Sequence, residues 1–456
     1  MRKKIRQQLS FVEPSINHVH AAELLVIGSI IDACPAIVDL IHADLVRDLD
    51  DPDGGREGMM TAEQVFKAMN IKQMNDFSYE TLSFHLADSK SYRSFCGFGI
   101  ADDIPSASTL QRDFKKVRPE TLEAINRIIV QYAAEQGIEK GRKTRTDCTA
   151  VETHIHHPTD SSLLEDSVRV LARLTGRAVE VFDLDIPFVD HSRRAKKRAL
   201  EILNAKSAKR QKKPYRDLLQ VAGRTKGYAE AAVAALEVVA AIFITSDLDE
   251  VVKNAADELR HFIGLAERVI RQTERRVLHG ETVPCAEKVF SIFEPHTDII
   301  VKDRRDPVFG HKLVLTGGAS GLFIDLVIEE GNPADSTLAE KMIARQKAIY
   351  GRVPLKAAFD GGFASKPNLK RIKEMGVKEV VFHKKRGLDI GEMVKSTWVY
   401  KQLRRFRAGV EGMISFIKRG FGLRRCMWRG FESFKAYAWT SVVTVNLLLL
   451  ARHALA

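Results

Sequence analysis

The sequence predicts an α/β protein in which a mixed sheet is interrupted by a helical insert and preceded by an all-helical N-terminal region. Three observations carry this. Helical apolar spacing fills residues 18–50 and recurs to 136, strand texture appears at 143–155 and returns only after 310, and a strongly basic helical stretch lies between them.

In the first part, Leu24, Leu25, Ile27, Ile30 and Ile31, then Ile37, Leu40, Ile41 and Leu45, follow the helical period until the polar turn DLDDPDGGREG (48–58) breaks it. From 61 to 136 the stretches TAEQVF, SYETLSF and SASTLQRDF each open on a Thr or Ser suited to capping a helix N-terminus. Ser78 to Ser89 followed by Pro105 to Phe114 reads as a two-helix unit, for which a helix-turn-helix and a plain packing bundle are both open.

At KTRTDCTAVETHI (143–155) threonines and alternating polarity replace the helical period, which predicts a strand. From 162 to about 290 the helical pattern returns. Its middle is basic, running from Arg193, Arg194, Lys196, Lys197 and Arg198 to Lys206, Lys209, Arg210, Lys212, Lys213 and Arg216. A solvated helix face and a DNA contact are both consistent with such a run.

Strands resume at HKLVLTGG (311–318) and LFIDLVIEEGN (322–332), joined by a Gly-rich link that reads as a hairpin. A helix from Ser336 to Tyr350, the strand VPLKAAFD, the helix SKPNLKRIKEMG, the apolar run EVVFHKK and a long helix from about 400 follow. A meander passing into strand-helix units is the order of an RNase H-like sheet with mixed strand directions. The expected boundaries are a helical DNA-binding region over 1–138, a catalytic domain over 139–161 and 300–456, and a basic helical insert over 162–299.

A hydrophobic share of 45% and a charged share of 29% are those of a folded globular chain rather than a disordered or membrane one. The net charge of +12 points to a polyanionic partner, nucleic acid or an acidic membrane surface. Cysteines 34, 96, 148, 285 and 426 never form CxxC, so neither a disulfide framework nor a zinc module is implied and a reducing cytoplasm is expected. The N-terminus MRKKIRQQLSFVEP lacks the apolar run of a signal peptide, and the apolar stretch Val442–Ala451 is too short to span a bilayer and is expected as a buried terminal helix.

Three acidic residues stand out. Asp147 lies within the first strand, and Asp360 ends the apolar strand LKAAF directly before Gly361 and Gly362, where backbone can approach a phosphate or metal closely. Glu411 lies in RRFRAGVEGMISFIKRG, whose apolar stripe is Leu403, Phe406, Val410, Met413, Ile414 and Ile417. On a helical wheel Arg404, Arg407, Glu411 and Lys418 fall within about 60° of each other beside that stripe. Alone, Asp360 is also compatible with an ordinary turn and the helix with plain charge pairs.

The spacing Arg407, three residues, Glu411, six residues, Lys418 resembles the R-x3-E-x6-K signature around the catalytic glutamate of DDE-type insertion-sequence transposases. TDCTAVETHIHHPTDSSLLEDSVRVLARL is similar to their first-Asp segment, FDGGFASKPNLKRIKEMGVKEVVFHKK to their second, and residues 60–120 to their N-terminal DNA-binding region. Two features depart from the pattern. Arg404 stands where the signature has a Tyr, and only 51 residues separate Asp360 from Glu411, so the bulk lies after Asp147 instead.

The resemblance implies recognition of terminal inverted repeats, hydrolytic cleavage at the element's ends and joining of a 3′-hydroxyl to target DNA. It implies double-stranded DNA as partner, at least a homodimer in the synaptic complex, and no membrane. Two Mg²⁺ or Mn²⁺ ions would be held by hard carboxylates, roughly 3.5 to 4 Å apart. Asp147 would bridge them, Asp360 would supply the second ligand and Glu411 would hold the remaining ion. Arg407 and Lys418, with Arg404 beside them, would hold phosphates. A related nuclease that cuts without joining, and a non-catalytic DNA-binding descendant, are the alternatives.

Other residues invite rival sites. His154, His156 and His157 suggest zinc, but the further tetrahedral ligands are lacking nearby. His157 and Asp160 are instead candidates for the catalytic pocket through the loop after the first strand. Asp325 is a candidate ligand or a buried structural Asp. TGGASG lacks the Lys-Ser/Thr ending of a phosphate loop. Trp398 is expected in the core, with stacking on a flipped base as the alternative.

Overall fold

The computed structural model describes residue 4 and residues 16–49, 59–99, 101–242, 247–301 and 306–456. The N-terminal basic segment, apart from Lys4, and residues 50–58 of the expected polar turn lie outside the described residues. The chain divides into two compact units, one of residues 1–153 with 310–456 and the other of residues 154–309.

The first unit opens with helices. The first apolar stretch becomes α1 (Val19–Ala33) and α2 (Ala36–Val46), parted at Pro35, which has no N–H to continue the ladder. Thr61 and Gln64 form a reciprocal capping box at α3 (Ala62–Asn75), and Ser78 and Ser106 cap α4 (Tyr79–Asp88) and α6 (Ala107–Lys115). Between them lies a short helix, α5 (Lys90–Phe95). The two-helix unit expected there is present, since α4 and α6 pack together and Ser83 Oγ donates to the Pro105 carbonyl at 2.8 Å. Pro119 starts α7 (Pro119–Glu135), the position where proline costs no hydrogen bond.

The sheet forms around β1 (Lys143–Glu152). It pairs antiparallel with β3 (Val308–Gly317), which forms the expected hairpin with β4 (Phe323–Glu329). On its other side β1 pairs parallel with β5 (Lys356–Phe359), which pairs parallel with β6 (Glu379–Phe382), giving the order β4–β3–β1–β5–β6. This mixed sheet behind an N-terminal helical region is the predicted α/β class. Strand alternation divides two cores. Leu313 and Leu315 face the N-terminal helices, whereas Val314 faces α12 (Ala339–Tyr350), α13 (Lys366–Glu374), α14 (Ile390–Met393) and α15 (Thr397–Gly420).

The terminal helix α16 (Phe431–Leu455) is long and apolar enough to cross a membrane by length and composition, yet it is buried among α1, α3 and α7. Its Asn446 accepts from Phe323 N at 2.8 Å and donates to the Phe323 carbonyl at 2.7 Å and to Asn126 at 2.8 Å. A polar residue that reads as a flaw in an apolar run thus satisfies the start of β4.

The second unit is built of α8 (Asp160–Phe182), α9 (Ser192–Asn204), α10 (Ala208–Ile242) and α11 (Asp247–Thr273), with the short strand β2 (Asp298–Ile300). It has its own core, drawn from Leu164, Val168, Leu218, Val221, Leu236, Leu259 and Val269.

Candidate active site

Two of the acidic residues owe their proximity to strand register. The β1–β5 pairing runs from Lys143 opposite Lys356 to Thr146 opposite Phe359, so the next residue of each strand is an aspartate, Asp147 and Asp360. The parallel register sets both carboxylates side by side where β5 ends, midway along β1. Beyond Asp360 the chain turns through Gly361–Phe363. A Cβ on Gly361 would meet Lys384 Cβ at 2.8 Å and one on Gly362 would meet Asp335 Oδ2 at 2.4 Å, so both must be glycine for the turn to lie where it does. Asp335 is itself held by the buried Lys312 at 2.8 Å.

The third carboxylate comes from α15. Ser396 caps its start, and the helix lies across β1, β5 and β6. Arg145 of β1 reaches through, with its guanidinium over the Phe406 ring and Nη1 donating to the Phe406 carbonyl at 3.1 Å. Gly409 makes room, because a Cβ there would sit 2.1 Å from Arg145 Nη1. This crossing fixes which turn of α15 overlies the middle of β1 and the end of β5.

At that turn Arg407 points inward, with only 6% of its side chain exposed. Its Nη2 lies 2.7 Å from Asp147 Oδ2 and 2.8 Å from Asp360 Oδ1, and its Nη1 lies 2.8 Å from Glu411 Oε1. Two carboxylate oxygens bound to one nitrogen are separated by less than twice that distance. Asp147 is 13% exposed, Asp360 35% and Glu411 67%, so the cluster opens towards solvent on the Glu411 side. Asp147 Oδ1 also accepts from Cys148 N at 2.8 Å.

The donor set suits a hard divalent cation, being three carboxylates converging on a centre now filled by one positive group. Their present spacing is that of a guanidinium, however. Among the described residues no three His, Cys, Asp or Glu groups close within coordinating range of one point. A metal ion at this site would therefore take the place of Arg407, which would be free to turn to a phosphate.

The other residues singled out by sequence are dispersed. Arg404 is exposed, one turn before Arg407 on the same helix. Lys418 donates to the Ala150 carbonyl of β1 at 2.6 Å. Trp398, expected in the core, is 67% exposed at the start of α15, because Val399, Tyr400 and Leu403 take the buried face there.

His157 and Asp160 belong to the second unit. The His157 ring packs edge-on against Phe309, and Asp160, in the first turn of α8, is buried against Arg276 at 2.9 Å. His156 lies 3.4 Å from Asp166 rather than in a zinc cluster. Asp325 is a buried structural Asp, held at both oxygens by Arg345 at 2.6 and 2.7 Å.

One residue at the edge escaped sequence reading. His383 follows β6 as Asp360 follows β5, and its N–H donates to the Phe359 carbonyl at 3.0 Å. Burial, then the charges of Arg407 and Arg404, lower its imidazole pKa below the ordinary value, and Nδ1 is buried without a hydrogen-bond partner. Its signal was available in the sequence, as the first polar residue after the apolar run EVVF.

Two stretches of the chain match known families. Residues 303–447 match the family described as Transposase DDE domain, and residues 20–116 match a family described as Transposase domain. The first span contains Asp360, Arg407 and Glu411, while Asp147 lies outside both. No curated protein and no solved structure matches the chain significantly.

Proposed function

The chain belongs to the DDE-type transposases of insertion sequences, and on that premise we propose that it cuts DNA at the ends of a mobile element and joins the freed 3′-hydroxyl to target DNA. The observation that supports this best is the meeting of Asp147, Asp360 and Glu411 around Arg407 where β5 ends beside the middle of β1. An open edge admits a phosphodiester, and the family generally works with divalent metals.

Asp147, Asp360 and Glu411 would hold Mg²⁺ or Mn²⁺ there. When bound, such ions supply neutralisation of phosphate charge and a lowered pKa for the attacking water or 3′-hydroxyl. The chain's own contribution is position. Asp147 and Asp360 are fixed by register, so their separation does not depend on side-chain chance. Glu411, the most exposed of the three, is free to adjust as Arg407 leaves. The Arg407 guanidinium would be suited to pairing with a phosphate at this site in two-pronged fashion. Arg404 lies in reach of the same edge. The partners are duplex DNA bearing the terminal inverted repeats and duplex target DNA, with two ends requiring two copies of the chain.

The test uses full-length protein, Mg²⁺ and duplexes carrying the element's own ends. Asp147→Ala, Asp360→Ala and Glu411→Ala should each abolish cleavage while the duplex is still retained in a gel shift. Turnover by any of the three refutes the triad. Supplying pre-cleaved ends separates a joining enzyme from a nuclease that only cuts.

A further inference from the structure

The 154–309 unit carries two strongly basic helix faces. In α9, Arg193, Lys196 and Lys197 are exposed at i, i+3 and i+4, on the side away from the buried Ala195 and Ile202. In α10, Lys209, Lys212, Lys213 and Arg216 are exposed at i, i+3, i+4 and i+7, on the side away from the buried Tyr215, Leu218 and Ala222.

Both helices also carry acids, yet these are spent elsewhere. Asp217 pairs with Arg194 and Arg198 and so ties α9 to α10, and Glu201 pairs with Arg198 at 2.6 Å. None of the seven residues of the two faces makes an ion pair among the described residues. An ordinary solvated helix face intersperses both signs, because like charges at i and i+4 repel. Here Asp190 and Glu165 act on Arg193 and Lys196 only at a distance, and the rest of the repulsion is left standing.

We infer that these two faces hold duplex DNA by its phosphates, independently of base sequence. This rests on the reading that the chain acts on DNA and deepens it by giving the helical unit a part. The chemistry favours backbone binding over base reading: five of the seven side chains are lysines, which meet phosphate as point charges. Seven residues of helix extend about 10 Å, enough to follow roughly three phosphates of one strand at about 3.4 Å each.

The experiment uses the full chain and a labelled duplex of scrambled sequence, with binding followed by fluorescence anisotropy from about 50 to 200 mM salt. The triple variant K209Q/K212Q/K213Q should reduce the slope of log K against log salt by two to three, about 0.9 for each phosphate no longer neutralised. The variant K209R/K212R/K213R should keep the slope. Circular dichroism should be unchanged for both, since the three lysines bear on no core residue. An unchanged slope in the glutamine variant overturns the inference, and so does displacement of the duplex by phosphatidylserine vesicles, which would assign the faces to acidic lipid. D360A separates this from catalysis. It should keep the wild-type slope, so a protein that never cleaves but loses its slope in K209Q/K212Q/K213Q leaves the inference standing and sinks the proposed activity.

Discussion

Arg407 and Asp147, 260 residues apart in the chain, form a buried ion pair 2.7 Å long midway along the central strand. The same guanidinium holds Asp360 and Glu411, so one cation balances three carboxylates. Arg407→Gln should therefore destabilise the metal-free protein by about 3 kcal/mol, the usual cost of stranding a buried charge. Because a divalent ion no longer has to displace a guanidinium, Mg²⁺ should raise the melting temperature of the variant more than that of the wild type. Equal increments in a thermal-unfolding titration would contradict the view that ion and arginine compete for one place.

The turn after Asp360 depends on two absent side chains. Gly362→Ala puts a methyl 2.4 Å from Asp335 Oδ2 and pushes that carboxylate off Lys312. The expected cost is about 1 to 3 kcal/mol of stability, in line with other overpacked sites. A second effect should accompany it, a larger loss of cleavage than of end binding, because Asp360 shifts with its turn. A variant that cuts normally despite the lost stability would show that the turn does not position the carboxylate.

Asn446 makes three hydrogen bonds inside the core, two of them to the backbone of Phe323. Asn446→Leu would make α16 uniformly apolar and would leave that N–H and carbonyl without partners. Each such loss costs about 1 to 3 kcal/mol, so urea unfolding should register a large drop. Unchanged stability would mean that α16 does not owe its seat to this residue.

His383 should make the fold sensitive to acid. Its pKa in the folded chain lies below the ordinary value of about 6.5, so the unfolded chain takes up this proton first as pH falls. Stability contributed by the neutral ring is complete above pH ~6.5 and is lost as pH drops towards the lowered native pKa. His383→Asn removes the titration. The stability of the wild type relative to this variant should decline between about pH 7 and 5, and a constant difference over that range would exclude it.

Much of the fold was legible because its signals are local. Thr61, Ser78 and Ser106 cap helices where their positions in the sequence suggested, and HKLVLTGG and LFIDLVIEE form the hairpin. The exposed face of Trp398 was not legible, since a single tryptophan at a helix start carries no period to say which side is buried. His383 was passed over for a related reason. Only the pairing of β6 with β5 sets it beside Asp360, and pairing partners are not written in either strand.

The sequence by itself determined the elements, their order and the acidic residues worth watching, because helix and strand periods, caps and glycine turns act over a few residues. It also set the spacing of Arg407, Glu411 and Lys418 along one helix. Tertiary structure alone decided that Arg407 turns inward while Lys418 goes to the backbone of β1, since a helical wheel places both at the same margin. The reason is electrostatic and long-range. A buried guanidinium is tolerated only where carboxylates are brought to it, and it is strand register, fixed by pairing across more than two hundred residues, that brings Asp147 and Asp360 together.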